Sequence, residues 1–159
     1  MKARFAPALL CVCMLSGCYL NGRLYPVQGP ASAQTPPPIY AARISGGFRS
    51  GTFTATLQNG EHCTGRWAQV STKPTSHQTS NPTLSPADIS KAWDTVYGPG
   101  FYTAHVLGAP IHIHGVVNGD KGTVLQVDAY RNPGAGEDAL ESRKGIAFDT
   151  NTNIYKLIF

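Results

Sequence analysis

The chain has 159 residues, enough for one domain with a hydrophobic core of its own. Charged residues make up 14%, well below the usual quarter, while 17 glycines and 12 prolines exceed average usage, a composition that favours strands and turns over a helical bundle. The formal charge of +4 is spread thinly: only Arg143 and Lys144 are adjacent in sequence. The concentrated basic face that nucleic-acid binding requires is missing, so no nucleic-acid partner is expected.

In chain order, the first segment reads as an address. Lys2 and Arg4 precede an apolar run from Phe5 to Met14, too short to cross a hydrocarbon core of ~30 Å as a helix. Small residues, Ser16 and Gly17, follow, which completes the pattern of a secretory signal peptide over residues 1–17. Its ending, Leu15-Ser16-Gly17-Cys18, resembles the lipobox of bacterial lipoproteins. That resemblance implies cleavage before Cys18, a diacylglyceryl thioether on its sulfur and an acyl group such as palmitate on its amine. Two or more acyl chains hold a protein stably on a membrane, whereas one does so only marginally. Cys11 and Cys13 would leave with the signal peptide. Removing Lys2 and Arg4 from the 13 basic residues leaves 11 against 9 acidic ones, a net of +2. Residue 19 is Tyr rather than the Asp that resembles an inner-membrane retention signal, so the expected site is the outer membrane, facing the periplasm.

Residues 18–40 contain five prolines and little periodicity, and read as a lipidated cysteine followed by an extended, semi-rigid tether. Within it, Leu24-Tyr25-Pro26-Val27 is apolar enough to pack onto the domain. Residues 41–159 read as a single β-rich domain. Gly51 to Leu57 alternates with Phe53, Ala55 and Leu57 on one face and threonines on the other. Asn59-Gly60 signals a hairpin, with Glu61 to Trp67 as the return strand. Further strands are expected over 101–107, 111–117, 123–131, 145–150 and 154–159, with turns at Gly119-Asp120 and Asn151 to Asn153. One helix is expected at about 86–97: Ser85 is a capping residue, Pro86 suits the first helical position, Asp88 lies in the first turn, and Gly98-Pro99 stops it. Thr72 to Thr83 is Ser/Thr/Pro-rich and reads as a loop. The expected fold is mainly β: a small antiparallel sheet, sandwich or partly open barrel carrying one short helix.

The segments YPVQGP, SGGFRSGTFTATLQNGEHCTGRW, WDTVYGPGFYTAHVLG and GIAFDTNTNIYKLIF together resemble a family of small Gram-negative bacterial lipoproteins with a lipobox and a compact β-rich domain. Gly60 to Trp67 and Asn153 to Lys156 are the most distinctive pieces. The resemblance implies an envelope address and a compact domain, and carries no activity, cofactor or site residue with it.

Candidate chemistry is sparse. Cys63 shares a strand face with Glu61, Gly65 and Trp67, which reads as core packing; a reactive thiol would need an electropositive, accessible setting. Ile111-His112-Ile113-His114 puts both histidines on one face and both isoleucines on the other. If Gly119-Asp120-Lys121 forms a three-residue loop, Ile113 faces Val127 and His112 faces Asp128. His112, His114 and Asp128 would then form a two-histidine, one-carboxylate set suited to Zn or Cu. The bland alternative is that these are polar surface residues on a solvent-facing side of a sheet. No nucleophile elbow, phosphate loop, metalloprotease helix or redox cysteine pair occurs after cleavage. Glu61, Asp88, Asp94, Asp128 and Asp149 show no spacing that singles out an acid and a base. The C-terminal alternation of Tyr155, Leu157 and Phe159 fits a last strand closing a soluble sheet, or the final strand of a membrane barrel. The expectation is a non-catalytic binding or structural module anchored at Cys18, without a cofactor and partnered by the membrane and by an envelope protein. The alternative is a periplasmic metal-binding domain using His112, His114 and Asp128.

Overall fold

A computed structural model describes residues 19–47, 49–70, 86–132 and 143–159, with Pro86 and Ala87 described by their backbone alone. The signal peptide, Cys18, the Thr72–Thr83 loop and the capping Ser85 lie outside the described residues. The elements are β1 (Tyr19–Gln28), β2 (Tyr40–Gly46), β3 (Ser50–Thr56), β4 (His62–Gln69), α1 (Pro86–Tyr97), a single π-helical turn (Tyr102–Val106), β5 (Ile111–Gly119), β6 (Val124–Arg131), β7 (Arg143–Asp149) and β8 (Ile154–Ile158). The strands form an up-and-down antiparallel barrel in sequence order, closed where β1 pairs with β8. The fold is therefore mainly β with one short helix, as composition and alternation indicate. Closure leaves no unpaired sheet edge.

An eight-stranded barrel is just wide enough for side chains to fill it. Leu24, Phe53, Val117, Leu125, Ala147 and Leu157 point inward and are all fully buried. They join Tyr40, Cys63, Trp67 and Tyr155 in one cluster. Glycines let the wall close tightly. A Cβ on Gly65 would sit 2.1 Å from the Val116 carbonyl oxygen, so only glycine permits this contact between β4 and β5.

A second cluster lies outside the barrel. Ala92, Trp93, Val106, Tyr130, Ile146 and Phe148 pack together where α1 and the π-turn cover the outer faces of β6 and β7. Residues on β6 are consequently buried on both faces, from Leu125 through Tyr130. The outer faces of β1 to β4 are bare and hydrophilic: Asn21, Arg23, Arg43, Thr52, Thr54, His62, Thr64 and Arg66 are exposed. A lipid-facing barrel instead presents an apolar band. Tyr155 and Leu157 belong to the interior, with Phe159 packed against it.

Three expectations are corrected. Tyr19–Gln28 belongs to the barrel and not to a tether: it pairs with β2 on one side and β8 on the other. Its alternation buries Gly22 and Leu24, and a register shift beyond Pro26 accommodates the residue that lacks an N–H. The following residues also pack onto the barrel mouth, where the Ala31 amide donates to Asn153 Oδ1 at 2.8 Å. Phe101 to Leu107 is helical rather than a strand. Asp94 accepts from the Gly100 and Tyr102 amides and starts the turn, and the Phe101 ring stacks on Tyr97 at 4.8 Å. Finally, β5 and β6 pair with a different register: His114 faces Asp128 and His112 faces Tyr130. The loop lies one residue later, at Asp120-Lys121-Gly122: the Gly119 amide donates to the Thr123 carbonyl, Gly122 takes a positive φ of 99°, and Glu61 holds the Lys121 and Thr123 amides. The slip is by two residues, so every side chain keeps its face.

Candidate functional site

Period-two alternation on β5 and β6 sends His112, His114, Gln126, Asp128 and Tyr130 to the outer wall. The face expected to be wet is covered: α1 lies over it, and Asp128 is 1% exposed. Trp93, fully buried, donates its indole N–H to Asp128 Oδ1 at 2.7 Å. His112 Nε2 lies 2.8 Å from the same oxygen, and His114 Nδ1 lies 3.3 Å from Oδ2. Burial alone would raise the Asp128 pKa. Hydrogen bonds from His112 and His114, the charge of His112 and the Trp93 N–H outweigh it and hold the carboxyl below its ordinary value. An ionised carboxylate only accepts, so both imidazoles present N–H groups to it. His112 is buried, whereas His114 is half-buried and its Nε2 has no hydrogen-bond partner.

His112, His114 and Asp128 thus meet, as their shared face implies, but His112 Nε2, His114 Nδ1 and both Asp128 oxygens are spent on one another. A metal ion would need three lone pairs converging on one point about 2 Å away. Among the described residues, no group of three or more His, Cys, Asp or Glu side chains is arranged to hold one. What this arrangement does is fasten α1 to the barrel through a charge-assisted hydrogen bond, the stronger kind. Aromatic packing adds to it: Trp93 stacks on Tyr97 and Phe101 and meets Tyr130 edge-on at 5.6 Å. Sequence reasoning missed Trp93 as the third partner. The signal was a tryptophan on the apolar face of an amphipathic helix, PADISKAWDTVY, whose N–H needs an acceptor once buried.

Beside this cluster, α1 and the outer wall enclose an open groove of about 860 Å³. Val116, Gln126, Phe148 and Ile154 form its floor, with Lys91 and Asn153 among its polar lining. Gln126 is buried, and among the described residues its Oε1 has no partner. The groove mixes an apolar floor with convergent polar groups, the make-up of a site for a small ligand.

The remaining candidates are structural. Cys63 is free, 1% exposed and inside the barrel; burial, then Glu61, Asp120 and Asp149, push its thiol up to about 11. Such a thiol stays protonated and unreactive at neutral pH. Glu61 spends Oε1 on the Lys121 and Thr123 amides and Oε2 on the Thr123 hydroxyl. Asp149 accepts from the Asn151 and Asn153 amides, the Asn153 side chain and the Tyr155 hydroxyl. Both distinctive sequence pieces therefore carry staples that tie loops at the barrel mouth. Asp94 starts the π-turn, and Asp88 stands on α1 at the groove.

No family model, no curated protein and no solved structure matches the chain. Among the described residues, no helix is long and apolar enough to cross a membrane.

Proposed function

We propose that the protein is a lipid-anchored component of a bacterial cell envelope, held by acyl chains on Cys18, with its barrel serving as a non-catalytic binding or structural module. The observation that supports this most is the ending Leu15-Ser16-Gly17-Cys18 after a basic and then apolar lead. Processing before Cys18 would leave Tyr19–Gln28, the strand that closes the barrel, in the chain. The hydrophilic outer wall of β1 to β4 is consistent with a domain that stands in water and owes its membrane attachment to lipid. Tyr19 in place of Asp favours the outer membrane with the domain in the periplasm. Binding, in this reading, uses the groove beside α1, since the barrel interior is filled by its own side chains.

The test is metabolic labelling with palmitate in a Gram-negative host. The wild-type chain should take up label, accumulate as a precursor under globomycin and fractionate with outer membranes. Cys18→Ser should abolish all three; a Cys18→Ser chain processed and localised like wild type would end this reading. The metal-binding alternative has less support, because the histidines and Asp128 are already bonded to one another. Zinc or copper uptake at micromolar concentration, lost in His112→Ala, would reverse that judgement.

A further inference from the structure

With β1 starting at Tyr19, no spacer separates Cys18 from the barrel. The rim at which β1 starts is built by the strand ends that antiparallel pairing brings there: Gly46 of β2, Ser50 of β3, Gln69 of β4, Ile111 of β5, Arg131 of β6 and Arg143 of β7. Both rims carry exposed apolar side chains, Tyr19, Leu107 and Ile111 on this one and Val27 and Ile39 on the opposite one, so what distinguishes this rim is its charge. It is basic. Arg49 in the β2–β3 turn and Arg143 at the start of β7 are exposed, Lys144 follows directly, and the Arg43 guanidinium lies over the Tyr19 ring at 4.4 Å. Arg131 and Arg143 stand directly opposite each other across β6 and β7. The opposite rim holds Glu61, Asp120 and Asp149, with Lys121 as its nearby cation.

We infer that the barrel docks end-on against the anionic phospholipid headgroups around its own anchor, through the rim formed by Tyr19, Arg49, Ile111, Arg143 and Lys144. This rests on the proposal that Cys18 is lipidated. Basic side chains beside a membrane are attracted to acidic headgroups over about a Debye length, ~8 Å at physiological salt. A directly attached lipid keeps the rim within that range, which a long tether would not. Tyr at the rim suits the interface, where its ring is apolar and its hydroxyl is hydrated. End-on docking points the acidic rim away from the membrane and leaves the groove beside α1 open to the side. Glu137, Asp138 and Glu141 belong to the β6–β7 connection, outside the described residues, and are the sequence neighbours able to weaken this attraction.

The test uses the full lipidated protein reconstituted into phosphatidylethanolamine–phosphatidylglycerol vesicles. A fluorophore is placed at Ser50→Cys on the docking rim or at Gln58→Cys on the opposite one; both positions are exposed, and the buried Cys63 stays unlabelled. A headgroup-attached quencher should quench the Ser50→Cys label several-fold more than the Gln58→Cys label. The difference should shrink at high salt, in vesicles lacking phosphatidylglycerol, and in a chain carrying Arg49→Glu, Arg143→Glu and Lys144→Glu. Vesicle flotation with equal quenching at both positions, or stronger quenching at Gln58→Cys, overturns the docking while leaving the anchor standing. Failure of the wild-type chain to float with vesicles overturns both.

Discussion

The two halves of the barrel's outer wall follow the same alternation and meet different surroundings. On β3 and β4, Thr52, Thr54, Thr64 and Arg66 stand in solvent. On β5 and β6, His112, Gln126, Asp128 and Tyr130 occupy equivalent outward positions and are buried beneath α1. A polar side chain on an open strand face costs little wherever it points. Beneath a helix the same chemistry must be fully paired or it is penalised by 1–3 kcal/mol or more for each orphaned group. The covered half meets that demand by pairing Asp128 with Trp93, His112 and His114. Among the described residues it leaves two atoms, Gln126 Oε1 and His114 Nε2, without partners. Of the two residues, Gln126 lines the groove.

The contrast can be broken by substitution. Asp128→Ala removes the acceptor shared by buried Trp93 and His112 and half-buried His114, and is expected to cost about 3–5 kcal/mol in a denaturant titration. A loss below about 1 kcal/mol would place Asp128 with the ordinary surface residues. Trp93→Phe keeps most of the packing and loses one hydrogen bond to a charged acceptor, so about 1.5–3 kcal/mol is expected. Hydrogen exchange should localise that loss to α1 while the amides of β3 keep their protection.

Acid sharpens the same comparison. The folded-state pKa of Asp128 lies below the ordinary 3.8, so the unfolded chain takes up this proton more readily. The stability it contributes is present in full above about pH 5 and is lost as the pH falls through the lowered folded value. Asp128→Asn should therefore flatten the fall in stability below about pH 4, measured by thermal unfolding across pH. Thr54→Ala, on the bare half, should change neither the acid slope nor the midpoint by more than about 0.5 kcal/mol. Cys63 serves both halves from inside. In the native protein it should resist thiol reagents at pH 8 and react only after unfolding, since its thiol is pushed up to about 11.

Much of this was legible in residues taken locally. The helix Pro86–Tyr97 follows from its first-turn proline and the Gly98-Pro99 stop. The Asn59-Gly60 turn appears with positive φ at both residues, and the faces of β4 fall as alternation requires. That His112, His114 and Asp128 share a wall could be read from parity alone, which survived an error of two residues in register. What stayed hidden depends on contacts distant in sequence. β1 reads as a linker because Pro26, the four prolines that follow it and its polar residues outweigh a short alternation; only the two neighbours it closes against make it a strand. Nor does VLQVDAYR resemble a strand buried on both faces, since its outward residues are polar. It becomes one because α1 covers it and Trp93 supplies a donor. Phe101 to Leu107 alternates like a strand yet turns back, because Asp94 captures the amides that begin the turn.

The measurement that bears most directly on the proposed role is intact-mass spectrometry of the protein extracted from outer membranes. The expected species begins at Cys18 and carries the added mass of a diacylglyceryl thioether and an N-acyl group. A chain that retains residues 1–17, or begins elsewhere with Cys18 as an unmodified thiol, would contradict the lipid anchor and the placement of the barrel that follows from it.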